Sequence, residues 1–175
     1  MEEKQPSAFQ ASINPGLIMG LTLIVFSLIM YVIGVKYDSK INWLSYLIII
    51  GFLYWSMTTF RDKSLGGLAS YGQVFKAGFF TVLISAILTS IFMYIYVVYI
   101  NPGLLEEVLM NQEEEILART PDISDEDLEM AMSMVEKFSS PFMMVIWGFL
   151  ANVIFGTVFS LIIAIFVRRE KTTPA

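Results

Sequence analysis

The sequence contains no cysteine and no histidine. Without cysteine there are no disulfides, no thiolate chemistry, no iron–sulfur cluster and no Cys-type zinc site. Without histidine the commonest general base and the commonest metal ligand are missing. Carboxylates, lysines and hydroxyls remain, and they show no base–nucleophile pair and no metal cluster. The expectation is a protein that is not an enzyme and that carries no cofactor and no metal, with no nucleic-acid partner. Zero cysteines suits either side of a membrane, so compartment is not legible from cysteine usage.

Charge is also scarce, at 15% of the 175 residues, while hydrophobic residues make up 56% and mean hydropathy is +0.67. The apolar residues come in long unbroken runs rather than with the periodicity of a soluble helix or strand. About 18 or more uncharged apolar residues cross a bilayer core of roughly 30 Å. Four such runs use about half the chain and leave no separate soluble core. The fold class expected is an all-α integral membrane protein. It has four transmembrane helices in a bundle, with an extramembrane acidic αα-hairpin between the third and fourth, and the lipid bilayer is its first partner.

Residues 1–15 are polar, hold two prolines and lack the basic start and small-residue cleavage site of a signal peptide, so they read as an uncleaved tail. The first span is about Gly16 to Val35, ended by the turn Lys36-Tyr37-Asp38-Ser39-Lys40. Trp43 and Tyr46 open the second, which runs to about Phe60, since amphipathic aromatics favour the headgroup level. Residues 61–73 connect it to the third span, about Val74 to Ile100, with Lys76 in the first turn where its stem can snorkel. Residues 16–100 thus hold three spans. Residues 101–141 form the acidic hairpin, and residues 142–175 the fourth span, Phe142 to Val167, with the basic end Arg168, Arg169 and Lys171.

Asn101-Pro102-Gly103 stops the third span. Leu105, Leu109 and Ile116 lie on one side of the helix that follows, and Thr120-Pro121-Asp122 turns the chain. Ser124 with Asp127 resembles a capping box, and Leu128, Met132, Val135 and Phe138 share one stripe of the next helix.

The net charge of -5 is uneven. Between Asn101 and Ser140 there are eleven acids against two bases, and the rest of the chain has nine bases against five acids. With four spans, both termini and the 61–73 connection share a side that holds Lys4, Arg61, Lys63, Lys76, Arg168, Arg169 and Lys171. Basic residues near span ends stay cytoplasmic. Both termini are therefore expected on the cytoplasmic side and the hairpin outside, which in a bacterial cell is the periplasm.

Small residues recur at four-residue spacing: Ala77, Thr81, Ser85 and Thr89 in the third span, and Gly148, Asn152, Gly156, Ser160 and Ala164 in the fourth. Gly16 and Gly20 do the same in the first. Such stripes let helix backbones approach closely. Packing of the third span on the fourth within one chain is the plain reading, and a homo-oligomer is the other. Asn152 is the most polar side chain deep in a span; an interhelical hydrogen bond ranks ahead of a polar path. No Asp, Glu, Lys or Arg lies mid-membrane, which argues against an ion-coupled transporter or pump. Asp122, Asp125, Asp127 and Glu129 lack the spacing of a calcium-binding EF-hand loop, so they read as a solvated charged face.

The best candidate interaction loop is the second connection, with Arg61, Lys63, Gly66, Gly67, Tyr71, Gly72, Gln73 and Lys76. It interleaves glycine, aromatic and basic residues at a membrane edge. It could hold a phospholipid headgroup or a peptide of a membrane protein partner, or it could be a tight turn between helices. It lacks the G-x-x-x-x-G-K-[ST] spacing of a nucleotide loop.

The run from Arg61 to Gly78, with its RDK, its glycine pair, its aromatic-Gly-Gln and its lysine before Ala-Gly, resembles the signature of a bacterial membrane family, domain of unknown function 4199. The break after the third span, the Glu- and Met-rich hairpin, Lys137-Phe138 before Pro141 and the terminal basic cluster are similar too. The resemblance implies a four-helix protein of the bacterial inner membrane. It supplies no activity, substrate or catalytic residue. The function expected is that of a non-catalytic scaffold, accessory subunit or regulator. The alternative is an oligomeric transporter or channel subunit with Asn152, Thr157 and Ser160 along its path.

Overall fold

The computed structural model describes residues 6–35 and 40–170. Residues 36–39 of the turn expected at Lys36–Lys40, Lys4 in the tail and Lys171 at the basic end lie outside them. The described residues are helical apart from turns and one isolated antiparallel bridge between Ala69 and Arg169. The helices are α1 (Ala8–Val32), α2 (Leu44–Thr59), α3 (Tyr71–Ile95), α4 (Leu104–Arg119), α5 (Asp125–Phe138) and α6 (Pro141–Val167). A 3-10 turn, Lys40–Trp43, leads into α2, and π-helical turns extend α2 over Phe60–Ser64 and α3 over Tyr96–Ile100.

Helix α1 starts eight residues before the Gly16 expected from hydropathy. The cause is a capping box: Gln10 N donates to Ser7 Oγ at 3.2 Å, and Ser7 N donates to Gln10 Oε1 at 3.1 Å. Pro15, read above as part of the tail, sits inside this helix and is buried. Gly34 ends the helix at φ +74°, with Val35 N bonded to Met30 O and Gly34 N to Tyr31 O, a Schellman motif that satisfies two terminal carbonyls.

Three helical stretches are long and apolar enough to cross a membrane: Ala8–Val32, Tyr71–Ile100 and Pro141–Val167. No more than 28% of the most apolar window of any of them is buried inside the protein, so most of the apolar residues face outward. A soluble helix hides its apolar stripe; a helix apolar all round needs an apolar surrounding.

The chain divides into two compact units. The first comprises residues 1–89 and 149–175 and contains α1, α2, most of α3 and most of α6. Its core holds Met19, Leu53, Met57, Val74, Val82 and Ala164, each at most 1% exposed. The second unit, residues 90–148, contains α4 and α5, which touch each other. Ser124 caps α5 by accepting from Asp127 N at 3.2 Å, and Asp125, Glu126 and Asp127 place negative charge at the positive end of that helix. Arg119 pairs with Glu115 one turn earlier in α4.

Candidate functional site

The 61–73 connection folds as a backbone clamp in the first unit. It begins with Arg61, 7% exposed, in the π-helical turn after α2. Its guanidinium donates through Nε to Asp62 Oδ1 at 2.6 Å and through Nη2 to Asp62 Oδ2 at 2.8 Å. Nη1 donates to the Val167 carbonyl at 2.9 Å. Val167 is the last residue of α6, where carbonyls lack helical partners and the helix dipole is negative, so a cation is favoured there. The hydrogen bonds from Arg61 hold the Asp62 carboxyl below the usual carboxylate range, with Arg61 and Arg169 adding favourable charge against the opposing effect of desolvation.

Gly66 and Gly67 then turn the chain with φ of +67° and +89°, a region that residues with a Cβ avoid. Gly67 N donates back to Arg61 O at 2.9 Å. Next, Ala69 N donates to Arg169 O at 2.8 Å, and Arg169 N to Ala69 O at 2.9 Å. These reciprocal bonds fasten the connection to the segment that follows α6. Ser70 N and Oγ both donate to Gln73 Oε1, at 2.8 and 3.0 Å, as α3 begins. Tyr71 stacks on Phe75 with the ring planes 5° apart, and its hydroxyl donates to Leu161 O at 3.2 Å.

Among the residues singled out in the sequence, Arg61, Gly66 and Gly67 thus build the clamp, and Gln73 and Tyr71 secure the start of α3. Lys63, Gly72 and Lys76 are exposed. The connection is shorter than the 61–73 expected, because helical turns occupy Phe60–Ser64 and α3 already starts at Tyr71. Asp62, Ala69, Val167 and Arg169 belong to the same assembly, although no spacing in the sequence joins them to Arg61. Nothing in a single sequence pairs position 61 with position 167.

The small-residue stripes fall differently. A Cβ on Gly156 would lie 2.5 Å from Val82 Cγ1, and one on Gly78 would lie 2.9 Å from both Met57 Sδ and Ser160 Oγ. Helices α3 and α6 are therefore in direct contact at these glycines. Gly148, in the same sequence stripe, has no atom within 4 Å of such a position. Thr81 donates to Ala77 O at 2.8 Å, and its hydroxyl shares a 2.7 Å hydrogen bond with Ser56 of α2. Ser12 of α1 donates to Ala77 O at 2.8 Å as well. Asn152 Nδ2 donates to Thr89 Oγ1 at 3.4 Å, and Ser160 donates to Gly156 O at 2.8 Å. Ser85 is buried beside these groups, and its Oγ has no hydrogen-bond partner. Among the described residues, no three acidic side chains gather as a metal site.

A family model described as "Protein of unknown function (DUF4199)" matches residues 14–169. No curated protein and no solved structure matches the chain. The family match spans both units, from α1 through the Ala69–Arg169 bridge, and the chain belongs to the DUF4199 family.

Proposed function

We propose that this chain is a non-catalytic, multi-pass scaffold or accessory subunit of the bacterial inner membrane, with four spans, both termini cytoplasmic and an acidic α4–α5 hairpin in the periplasm. The observation that carries the scaffold reading is how the interior polar groups are used. Ser12, Ser56, Thr81 and Ser160 spend their hydroxyl hydrogen bonds on partners within the first unit, and Asn152 Nδ2 donates to Thr89 there; among the described residues Ser85 Oγ is the buried side-chain polar atom left without a partner. A polar path for a solute needs such groups turned toward the solute instead.

The fourth span on this reading is α2. Its 16 α-helical residues rise about 24 Å, short of a core of roughly 30 Å. The 3-10 turn Lys40–Trp43 adds about 8 Å at its start, which closes the gap. Lys40 at one end and Arg61 at the other then bound the crossing. The orientation follows from the bases at the clamp, Arg61, Lys63, Arg168 and Arg169, because positive residues near span ends are retained in the cytoplasm.

The test is cross-linking in intact cells. A single cysteine replaces Asn111 in α4 in this cysteine-free chain, and a membrane-impermeant thiol cross-linker is added. A discrete heavier band, holding either a partner membrane protein or a second copy of this chain, supports the reading. A chain that stays alone in cells and in mild detergent, and that carries solute flux in liposomes sensitive to Asn152→Leu, overturns it in favour of a pore.

A further inference from the structure

We propose that the clamp carries a site for the phosphate of an anionic phospholipid headgroup, formed by Lys63, Arg168 and Arg169. The proposal rests on the membrane reading above and deepens it by naming a ligand. Arg168 and Arg169 directly follow the Val167 carbonyl that Arg61 holds, and Arg169 is bonded through its own backbone to Ala69. Lys63 lies two residues beyond Arg61 in the same π-helical turn. The Arg61 guanidinium bond to Val167 and the Ala69–Arg169 backbone bridge thus bring the segments that carry the three cations together at the ends of α2 and α6, where spans meet headgroups.

All three side chains are exposed, and none has an ion-pair partner among the described residues. The nearest acid in sequence, Asp62, has both carboxylate oxygens engaged by Arg61, and it acts on Arg169 only through its charge, without an ion-pair contact. Glu170 is the only other acid in residues 61–63 and 168–170, so these six positions keep an excess of two positive charges. Exposed Leu68 and Phe166 flank the cations with apolar surface suited to acyl chains. The clamp fixes the backbone of both contributing segments before any lipid arrives, which lowers the ordering cost of binding.

The substitutions that test this leave the clamp in place, because Arg169 bridges Ala69 through its backbone and Arg61 is untouched. Full-length protein is reconstituted in phosphatidylcholine vesicles with and without phosphatidylglycerol, then released for native mass spectrometry. The expected result is retention of phosphatidylglycerol over phosphatidylcholine. Each of Lys63→Gln, Arg168→Gln and Arg169→Gln lowers that preference about fivefold, the equivalent of about 1 kcal/mol per basic residue near an anionic surface. Lys76→Gln, exposed on α3 outside the cluster, changes it less than twofold. Melting of each variant in phosphatidylcholine alone, unchanged from the parent, shows that the fold is intact.

Equal retention of the two lipids overturns the proposal. So does a preference that Lys76→Gln reduces as much as the clamp variants do, because that is a diffuse charge effect. A melting shift produced fully by millimolar inorganic phosphate reassigns the site to a soluble phosphate and also overturns it. Alkaline carbonate washing of the same vesicles separates the two readings. A protein that washes off overturns the membrane reading together with this one, whereas a protein that stays inserted without lipid preference overturns the lipid site alone.

Discussion

Arg61 and Val167 are 106 positions apart in sequence, yet Arg61 Nη1 donates to the Val167 carbonyl across 2.9 Å in a buried hydrogen bond. This bond ties the end of α2 to the end of α6, and the Ala69–Arg169 bridge repeats the tie a few residues on. A cation at a helix C-terminus satisfies a carbonyl that has no helical partner and opposes the helix dipole.

Arg61→Met keeps most of the side-chain volume and removes every donor. It leaves the Val167 carbonyl unpaired, at a cost of about 1–3 kcal/mol. Arg61→Lys offers one compact charge in place of the planar fork and recovers only part of that loss. Thermal melting in mild detergent measures both. A melting point for Arg61→Met equal to that of the parent contradicts the clamp.

The same fork gives the protein an acid-side sensitivity. The Asp62 pKa is lower in the folded state than in the unfolded one. The Arg61–Asp62 contribution is therefore fully present above the unfolded carboxylate value of about 3.9 and is lost as pH falls through the folded value. Its size is modest because Asp62 is half exposed. Melting points measured from pH 7 downward are expected to fall more steeply below pH about 4 in the parent than in Asp62→Asn. Parallel curves remove Asp62 from the account.

The glycine contacts make a sharper distinction. Gly156→Ala puts a methyl 2.5 Å from Val82 Cγ1, so the α3–α6 contact must open. Overpacking of this kind costs about 1–3 kcal/mol. Gly148→Ala meets nothing within 4 Å and is expected to be neutral or slightly stabilising. Adding Val82→Ala to Gly156→Ala restores part of the loss. Equal melting shifts for the two alanines show that sequence spacing alone, and not the Val82 contact, governs the stripe.

The Ser56–Thr81 hydroxyl pair invites a double-mutant cycle. Ser56→Ala and Thr81→Val each remove the 2.7 Å bond, so the double variant loses less than the sum of the singles. Interhelical hydrogen bonds in membranes average about 0.6 kcal/mol, which sets the expected coupling. Zero coupling in melting or unfolding measurements places the two hydroxyls out of contact.

The apolar runs were legible in the sequence because a helix facing lipid cannot hide a polar face, so its hydropathy is unbroken over its length. Two helices do not end where their apolar runs end. The Ser7–Gln10 capping box extends α1 back through Pro15, which lies buried inside the helix. The π-helical turn carries Arg61 to Ser64 in helical form through the charges that end the second apolar run. Within the site, the glycine pair announced its turn through the backbone freedom only glycine has. The partners of Arg61 were illegible, since a carbonyl accepts irrespective of residue type and Val167 offers no sequence sign of being held. For the same reason Gly156 and Gly148 look alike in a four-residue stripe, although only Gly156 meets a neighbour.

The central claim is four crossings in the stated orientation. Three single-cysteine variants in the cysteine-free chain test it, at Lys40 before α2, at Leu68 in the clamp and at Asn111 in α4, each treated in intact cells with an impermeant thiol reagent. The account predicts labelling of Lys40→Cys and Asn111→Cys from outside, and labelling of Leu68→Cys only after lysis. Protection of Lys40→Cys together with Leu68→Cys means that α2 does not cross, and labelling of Leu68→Cys alone means that the orientation is inverted; either result contradicts the account.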